Sequence, residues 1–208
     1  MTYSIVALSP DSKMLGAAVA SGSIAVGSRV PWVRVGIGAV ATQAYTNPAL
    51  GPIILELIEK GYDAERALKE ALKKDSNPEK RQVAVIDYKG RKAFHCGASI
   101  PREYGAYVGK NCVCVGNLIV NPNIPQIMCE AFERKCNEDF TYALLLALVT
   151  AHRIGGDKRG DRSAAIIVAG ETIHGKIYDR IVDLRVDFSL NPVYELVELY
   201  RSYRELNV

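Results

Sequence analysis

The first part of the chain shows the hydrophobic pattern of extended strands. Two runs of small and β-branched residues, from Tyr3 to Ser9 and from Met14 to Ser23, flank the turn residues Pro-Asp-Ser-Lys at 10–13. This arrangement predicts a β-hairpin. A third extended run reaches from Val33 to Ala44 and contains two glycines, which leave room for a neighbouring backbone or a ligand.

Further along the chain, apolar residues recur every three or four positions, which predicts five helices. Three of the predicted helices begin at Leu50, Ile124 and Thr141. The other two follow N-cap residues: one begins after Asp63, and the last begins at Pro192 after Asn191. The helix from Thr141 to Arg153 is apolar nearly all round and should be buried. Alternating runs predict five further strands, namely a second group over 81–87, 92–97 and 111–120, and two more over 163–169 and 180–187.

The order of these elements indicates the fold class. Strands, two helices, strands, two helices, strands and a final helix do not alternate as they do in doubly wound folds. Two sheets with helices on their outer faces would bury the apolar side of every element, which predicts an α+β fold. With 208 residues and no linker, repeat or low-complexity segment, residues 1–208 are expected to form a single domain.

Charge and composition exclude several classes of partner. The 26 basic and 23 acidic residues give a net charge of only +3, and without runs of about five like charges we expect no binding to nucleic acid or to anionic lipid. No apolar run reaches the roughly 18 residues of a membrane helix, and the start of the chain lacks the basic region of a signal peptide. We therefore expect a cytoplasmic protein.

The cysteines and histidines do not form a recognisable metal motif. The five cysteines are odd in number and fit a reducing compartment better than a disulfide framework. Cys112 and Cys114 should project to the same face of a strand, a pattern more typical of a packed core than of a zinc site. The 3 histidines share no metal-ligand spacing. We expect neither a metal nor another cofactor.

Thr2 is the first candidate for chemistry. Removal of Met1 would leave a threonine whose hydroxyl and free α-amine belong to one residue. Because an α-amine titrates near about 7.7 to 8.0, part of it is unprotonated at neutral pH and can accept the hydroxyl proton. The alternative is an ordinary Met-Thr start without catalytic meaning.

Polar residues inside or beside predicted strands are further candidates. The segment Gly155 to Ala165 places two aspartates, two arginines and a lysine between a buried helix and a strand. Its backbone N–H groups could bind an anion and Arg159 a carboxylate, or the segment could be a solvated turn with internal ion pairs. Thr42 and Gln43 end a strand before a helix, where they could face an anion or cap the connection. Asn117 interrupts an apolar strand and needs partners if buried.

Several segments resemble one protein family across nearly the whole chain. They are TYSIVA, AVGSRVPWVRVGIGAVATQAYTNPALGP, RQVAVID, VGN, GGDKRGDRSAA and DLRVD, and their order is similar to that in the family called domain of unknown function 1028. That family is similar in fold to the N-terminal nucleophile (Ntn) hydrolases, which implies a proteasome-like four-layer αββα sandwich. By this analogy Thr2 would be the nucleophile, in a site lined by Ser21, Thr42, Gln43, Asn117, Asp157, Arg159 and Ser163.

The leading hypothesis is a hydrolase of small amides or related C–N bonds. Thr2 would attack the carbonyl carbon, Asn117 and backbone N–H groups would hold the oxyanion, and Arg159 would bind a carboxylate of a small-molecule substrate. Asp157 is expected to be a third catalytic residue beside Thr2 and Asn117. The alternative is a non-catalytic binding or assembly protein on the same fold. One observation supports this alternative: the strands from Ala17 to Ala44 contain no lysine, whereas proteasome-like hydrolases use a lysine on an early strand to help activate the threonine.

A different nucleophile and an oligomeric assembly are two further expectations. The third and last alternative is an enzyme that uses Ser21 or Ser163 instead of Thr2, although neither serine has a histidine nearby in sequence. Sandwich folds commonly form closed symmetric assemblies, so we expect a homo-oligomer.

Overall fold

Ten strands and five α-helices make up the regular structure of residues 2–206, the part of the chain that the computed structural model describes. The strands are β1 (Thr2–Leu8), β2 (Leu15–Ser21), β3 (Pro31–Arg34), β4 (Gly38–Ala44), β5 (Arg81–Asp87), β6 (Lys92–Cys96), β7 (Gly105–Val108), β8 (Cys112–Asn117), β9 (Ser163–Ala169) and β10 (Arg180–Val186). The helices are α1 (Leu50–Glu59), α2 (Ala64–Leu72), α3 (Ile124–Glu133), α4 (Phe140–Arg153) and α5 (Pro192–Leu206).

The strands form two antiparallel sheets, so the fold is mixed α/β. The larger sheet has the order β10-β9-β2-β1-β8-β7, and the smaller one has the order β3-β4-β5-β6. The predicted hairpin of β1 and β2 is confirmed, with Leu8 opposite Leu15. Both strands are buried along their whole length, because their small and β-branched side chains allow close packing on both faces of the sheet.

The prediction of one continuous strand from Val33 to Ala44 is wrong. This run forms two strands, β3 and β4, which pair with each other and place Trp32 opposite Val40. The chain reverses at Gly36, whose φ of +66° is a left-handed conformation that ends an extended strand. One of the two glycines that suggested a close approach therefore makes a turn.

The predicted grouping of the strands over 81–87, 92–97 and 111–120 is also corrected. The first two form β5 and β6 of the smaller sheet, whereas the third forms β8, which pairs with β1 in the larger sheet. The short strand β7 lies between them in sequence and was not predicted, because its four residues GAYV are only partly buried and show no clear alternation. Sheet membership depends on long-range pairing, which the local pattern does not contain.

Helices cover the outer face of each sheet. α3, α4 and α5 pack on the larger sheet around Phe132, Leu144 and Leu196, and α1 and α2 pack on the smaller sheet around Ile54 and Leu68. Most residues of α4 are buried, as its apolar pattern predicts. Within residues 2–206, no helix is both long enough and apolar enough to cross a bilayer.

The helix starts agree closely with the sequence. Asp63 is the N-cap of α2, and its carboxylate accepts a hydrogen bond of 2.8 Å from the backbone N–H of Arg66. α4 begins at Phe140, one residue earlier than expected, because the carboxylate of Asp139 caps it by accepting from the N–H of Tyr142. Short polar caps of this kind stabilise the first turn of a helix.

An apolar layer fills the space between the two sheets. Val6, Val19, Val115 and Ile86 belong to this layer. Towards the end where β1 begins, polar side chains replace the apolar ones on the same strand faces. This polar end of the layer contains the candidate site.

Candidate functional site

A row of four polar side chains crosses the larger sheet at the start of β1. Thr2 pairs with Asn117 of β8 on one side and with Ser21 of β2 on the other, and Ser21 pairs in turn with Ser163 of β9. Directly paired residues of antiparallel strands project to the same face of a sheet. That face continues along β1 into Val6 of the layer between the sheets, so the four side chains lie at the edge of that layer.

The hydroxyl of Thr2 is held in a defined position. The Thr2 side chain is buried, with only 5% of the residue exposed. Its Oγ1 shares a hydrogen bond of 3.0 Å with Oγ of Ser21, which also accepts from the N–H of Ser23 at 3.0 Å. Among the described residues, two side chains form hydrogen bonds with Thr2: that of Ser21 with its hydroxyl and that of Gln43 with its backbone carbonyl oxygen. Neither side chain carries a charge.

Two glutamines of the smaller sheet reach across to Thr2. Gln43 and Gln82 are direct partners in the β4–β5 pairing, and both are fully buried. Nε2 of Gln43 donates to the carbonyl oxygen of Thr2 at 3.0 Å and to Oε1 of Gln82 at 2.8 Å. Its Oε1 accepts from the hydroxyl of Ser4 at 2.6 Å. The amide pair thus links the two sheets beside the candidate nucleophile.

Gln82 is a site residue that was not predicted from the sequence. Its Oε1 accepts hydrogen bonds from both Gln43 and Asn117, each at 2.8 Å, and its Nε2 donates to the carbonyl oxygen of Gly116 at 3.0 Å. The available signal was the alternation of RQVAVID, which places Gln82 on the same inward face as Ala84 and Ile86. A polar residue at a buried strand position calls for an explanation.

Asn117 is fully buried, and one of its two polar atoms lacks a partner. Its Nδ2 donates to Gln82, whereas its Oδ1 has no hydrogen-bond partner among the described residues. One of the two N–H donors of the NH₂ group that was expected to hold the oxyanion is thus donated to Gln82. A buried unsatisfied polar atom costs about 1–3 kcal/mol, so this oxygen is placed to accept a hydrogen bond from a group that enters the site.

The loop around Asp157 is fastened to the strands that carry Thr2 and Ser21. Asp157 is buried, and its carboxylate accepts from the N–H of Gly22 at 2.8 Å. Arg159 binds the same carboxylate with two groups, Nε at 3.1 Å and Nη2 at 3.0 Å. The internal ion pair considered for this loop is thus present, and Arg159 reaches the site as the partner of Asp157, with 38% of its side chain exposed.

The same loop is also anchored from the opposite face of the sheet. Tyr3, whose side chain points towards the helices, donates to Oδ2 of Asp161 at 2.7 Å, and Nδ1 of His152 lies 2.7 Å from that oxygen. Burial raises the pKa of Tyr3 well above its usual range, and the negative charge of Asp161 adds to the effect. No sequence signal indicated this cluster, because its members come from three separate segments.

The remaining predicted residues lie further from Thr2. Thr42 projects to the opposite side of β4 from Gln43, and its hydroxyl donates to the carbonyl oxygen of Asn47 at 3.2 Å. The structure therefore does not bring Thr42 to Thr2. Ser163 lies in the polar row, and its hydroxyl donates to the carbonyl oxygen of Ser23 at 2.6 Å.

Two strained residues directly follow site residues. Leu118, which follows Asn117, has φ = +50°, and Ala44, which follows Gln43, has φ = +70°. Left-handed backbone at a non-glycine residue costs of order 1–3 kcal/mol and tends to occur at functional sites. The strain at both strand ends supports the choice of this region as the candidate site.

Comparison with known proteins identifies one protein family and a similar crystal structure. The model of DUF1028, described as a family of unknown function, matches residues 2–196. The crystal structure of protein SPO2555 from Silicibacter pomeroyi, whose description names the same family, is 29% identical and superposes with a TM-score of 0.87 over 97% of this chain and 85% of that chain. No curated protein matches the sequence.

Proposed function

Because the chain belongs to the DUF1028 family of unknown function, we propose a function from its site: hydrolysis of small amides or related C–N bonds, with Thr2 as the nucleophile. The position of Thr2 is the observation that carries this proposal. It is the first residue of a central strand, and its hydroxyl lies between the hydroxyl of Ser21 and the amide of Asn117. The mechanism requires removal of Met1, which lies outside the described residues.

The arrangement of sheets and helices supports a finer assignment of the fold. Two antiparallel sheets face each other across an apolar layer, and helices pack on the outer face of each. We propose that this is the four-layer αββα sandwich of the Ntn hydrolases. Similarity of fold suggests where a nucleophile would stand, whereas the chemistry has to be argued from the residues.

In the proposed mechanism, Thr2 supplies both nucleophile and base. Its α-amine accepts the proton of Oγ1 as this oxygen attacks the substrate carbonyl carbon. The tetrahedral intermediate then collapses, the C–N bond breaks, and the departing amine takes the proton. Water hydrolyses the remaining ester and restores Thr2. The hydrogen bond to Ser21 orients the attacking oxygen.

The structure suggests a changed role for Asn117 in this mechanism. Since one N–H of its NH₂ group is donated to Gln82 and its Oδ1 has no partner among the described residues, we propose that this Oδ1 accepts a hydrogen bond from the α-amine of Thr2, the residue directly opposite on β1. Such a bond stabilises the protonated amine formed during attack. Backbone N–H groups would then hold the oxyanion, each contributing about 10²–10³ in rate.

The proposed substrate is a small molecule that carries a carboxylate. Asp157 holds the guanidinium of Arg159 at the edge of the site, and part of this side chain is exposed. A fixed and partly exposed guanidinium can attract an anionic group. Asp157 is thus proposed to act through Arg159 rather than on the reacting atoms.

The test is a Thr2→Ala variant, measured against a panel of small carboxylate-bearing amides and their neutral counterparts. Intact mass first establishes whether Met1 has been removed. We expect Thr2→Ala to lose at least about 10³-fold in turnover, because the attacking oxygen is gone, and Thr2→Ser to keep part of the activity. The matched control is Thr150→Ala, which removes a hydroxyl from α4 that donates within its own helix.

Two results would contradict the proposal: full turnover by Thr2→Ala, or a wild-type protein that retains Met1. The second candidate function is a binding protein on the same fold. This candidate is supported by the hydrogen bonding of the Thr2 hydroxyl, whose partner among the described residues is the uncharged hydroxyl of Ser21. Binding of a carboxylate amide without turnover, weakened in Arg159→Ala, would support this candidate.

A further inference from the structure

Three cysteines meet in the core on the helix side of the larger sheet. Cys112 and Cys114 project from β8 towards α3, which contributes Cys129, and all three are buried. Sγ of Cys129 lies 2.6 Å from Sγ of Cys112 and 3.1 Å from Sγ of Cys114. The C-x-C pattern predicted only that the thiols of Cys112 and Cys114 share one face of a strand. Folding brings the third thiol into contact with them, although Cys129 is 17 residues from Cys112 in sequence.

We propose that Cys129 and Cys112 form a reversible disulfide, with Cys114 as an alternative partner of Cys129. A disulfide requires sulfur atoms about 2.05 Å apart, so the bond needs a sulfur displacement of only about 0.5 Å from the thiol positions. The nearly equal approach of Cys114 allows the bond to move between the two cysteines of β8 by thiol exchange.

The sulfur spacing favours a disulfide over a metal site. The three thiols lie close enough together to be considered as ligands of one ion. Two thiolates that share a tetrahedral zinc ion, each about 2.3 Å from the metal, would be about 3.7 Å apart. Both contacts of Cys129 are shorter than this, at 2.6 and 3.1 Å.

Cys129 is the natural nucleophile of the cluster. Hydrogen bonds with the neighbouring thiols of Cys112 and Cys114 lower the pKa of Cys129 below its usual range, against the opposing effects of burial and of the nearby Glu133. The thiolate is the reactive form of cysteine. Burial and the neighbouring thiols raise the pKa of Cys114 well above its usual range, which keeps this partner protonated.

The proposed oxidant is a hydroperoxide, which accounts for the atoms and electrons of the reaction. The Cys129 thiolate attacks the terminal peroxide oxygen, an S–O bond forms, the O–O bond breaks, and an alcohol or water leaves after protonation. Cys112 then attacks the sulfenic sulfur, the S–S bond forms, and hydroxide leaves as water with the Cys112 proton. The two thiols lose two electrons and two protons, and the peroxide is reduced.

A small oxidant can reach the cluster through the turn between β7 and β8. A Cβ added at Gly109 would lie 2.9 Å from Sγ of Cys112 and 3.3 Å from Sγ of Cys129. The nearest atom to that Cβ is Oε1 of Glu133, which accepts a hydrogen bond from the N–H of Lys110, so the Glu133 carboxylate and the backbone of the turn cover the sulfurs in the closed turn. The adjacent residues Val108 and Lys110 are exposed, so opening of this turn uncovers the thiols.

The test treats the purified full-length protein with a small excess of hydrogen peroxide and counts free thiols after denaturation. We expect the count to fall from the 5 cysteines of the reduced chain by two, and peptide mapping to find Cys129 linked to Cys112 or Cys114. A thiol reductant should restore the full count. Because the bond closes a loop of 17 residues, the melting temperature should rise by about 5–10 °C on oxidation.

Cys129→Ser should abolish the cross-link and the rise in melting temperature, whereas Cys136→Ser, at the next cysteine along the chain, should retain both. The comparison of oxidised with reduced wild-type protein needs no variant, so the proposal can be tested even if Cys129→Ser fails to fold. An unchanged thiol count, or a bond that involves only Cys96 or Cys136, would overturn the proposal. So would stoichiometric zinc or copper in the purified wild-type protein, since the thiols would then be metal ligands.

Discussion

At the residue scale, the buried amides are the main polar connection between the two sheets. Gln82 accepts hydrogen bonds from Gln43 and Asn117 with a single oxygen and donates to the backbone of β8. Because Gln43, Gln82 and Asn117 are fully buried, each of these groups would be costly to leave without a partner. The network therefore stabilises the fold and also fixes the backbone carbonyl of Thr2 through Gln43.

Replacement of Gln82 by Leu tests this role. The variant removes the acceptor of Gln43 and Asn117 and leaves buried donors unsatisfied, so we expect the free energy of unfolding to fall by about 2–3 kcal/mol. Urea denaturation is the measurement. The matched control is Gln126→Leu, because Gln126 is exposed on α3 and donates to a neighbouring glutamate within its helix. Equal effects of the two changes would show that the buried amide has no special role.

At the scale of elements, Asp75 connects the end of α2 to two other segments. Its carboxylate accepts two hydrogen bonds from Arg81 at the start of β5, one from the side chain of Asn47 before α1, and one from the N–H of Asn77. The Asp75 side chain is almost fully buried, and that of Arg81 is mostly so. This ion pair positions the strand that carries Gln82.

Stability at acidic pH should depend on Asp75. Hydrogen bonds from Arg81, and after them those from Asn47 and Asn77, hold the pKa of Asp75 well below its usual value of 3.8. Because the folded-state pKa is lower than the unfolded one, the stabilisation is complete above about pH 4 and is lost as the pH falls towards the folded-state value.

The corresponding variant is Asp75→Asn. At pH 7 we expect it to lower the free energy of unfolding by about 3 kcal/mol, since it leaves Arg81 without its buried partner. Below pH 4 the difference from the wild type should shrink, because the Asp75 carboxylate of the unfolded wild-type chain becomes protonated while that of the folded chain remains ionised. Urea unfolding at pH 7 and pH 3 is the measurement, and a difference that stays constant between the two would contradict this account.

At the scale of the whole molecule, both sheets end in strands with an unpaired edge within the described chain. β10 and β7 border the larger sheet, and β3 and β6 border the smaller one. The edge strand β6 also exposes the aromatic side chain of Phe94. Unpaired edges present backbone donors and acceptors to another chain. The homo-oligomer expected from the sequence stays a prediction.

The mass in solution is therefore the test at this scale. We expect light scattering at micromolar concentration to give a multiple of the 22.7 kDa chain mass, with a closed dimer as the simplest case. Measurement in 1 M salt is the control, because an association through apolar surface and backbone pairing should persist when charges are screened. A mass of one chain at all concentrations would refute the prediction.

The family resemblance seen in the sequence is confirmed by the match over residues 2–196. The local pattern also predicted most elements, including the N-cap Asp63 and the buried helix α4. These predictions succeed because helix period, strand alternation and capping arise from neighbours within a few residues. The turn at Gly36 was missed because the small and apolar residues on both sides of it alternate as in one continuous strand.

The sequence by itself determined the element types, the two-sheet fold class and the polar residues that interrupt apolar strands, such as Asn117. Only the tertiary structure decided which of these side chains meet. The β1–β8 pairing places Asn117 beside Thr2, the β4–β5 pairing adds Gln82, and the packing of α3 on β8 brings Cys129 to its partners. The physical reason is that register is set by burial of whole sheet faces, which joins residues far apart in sequence.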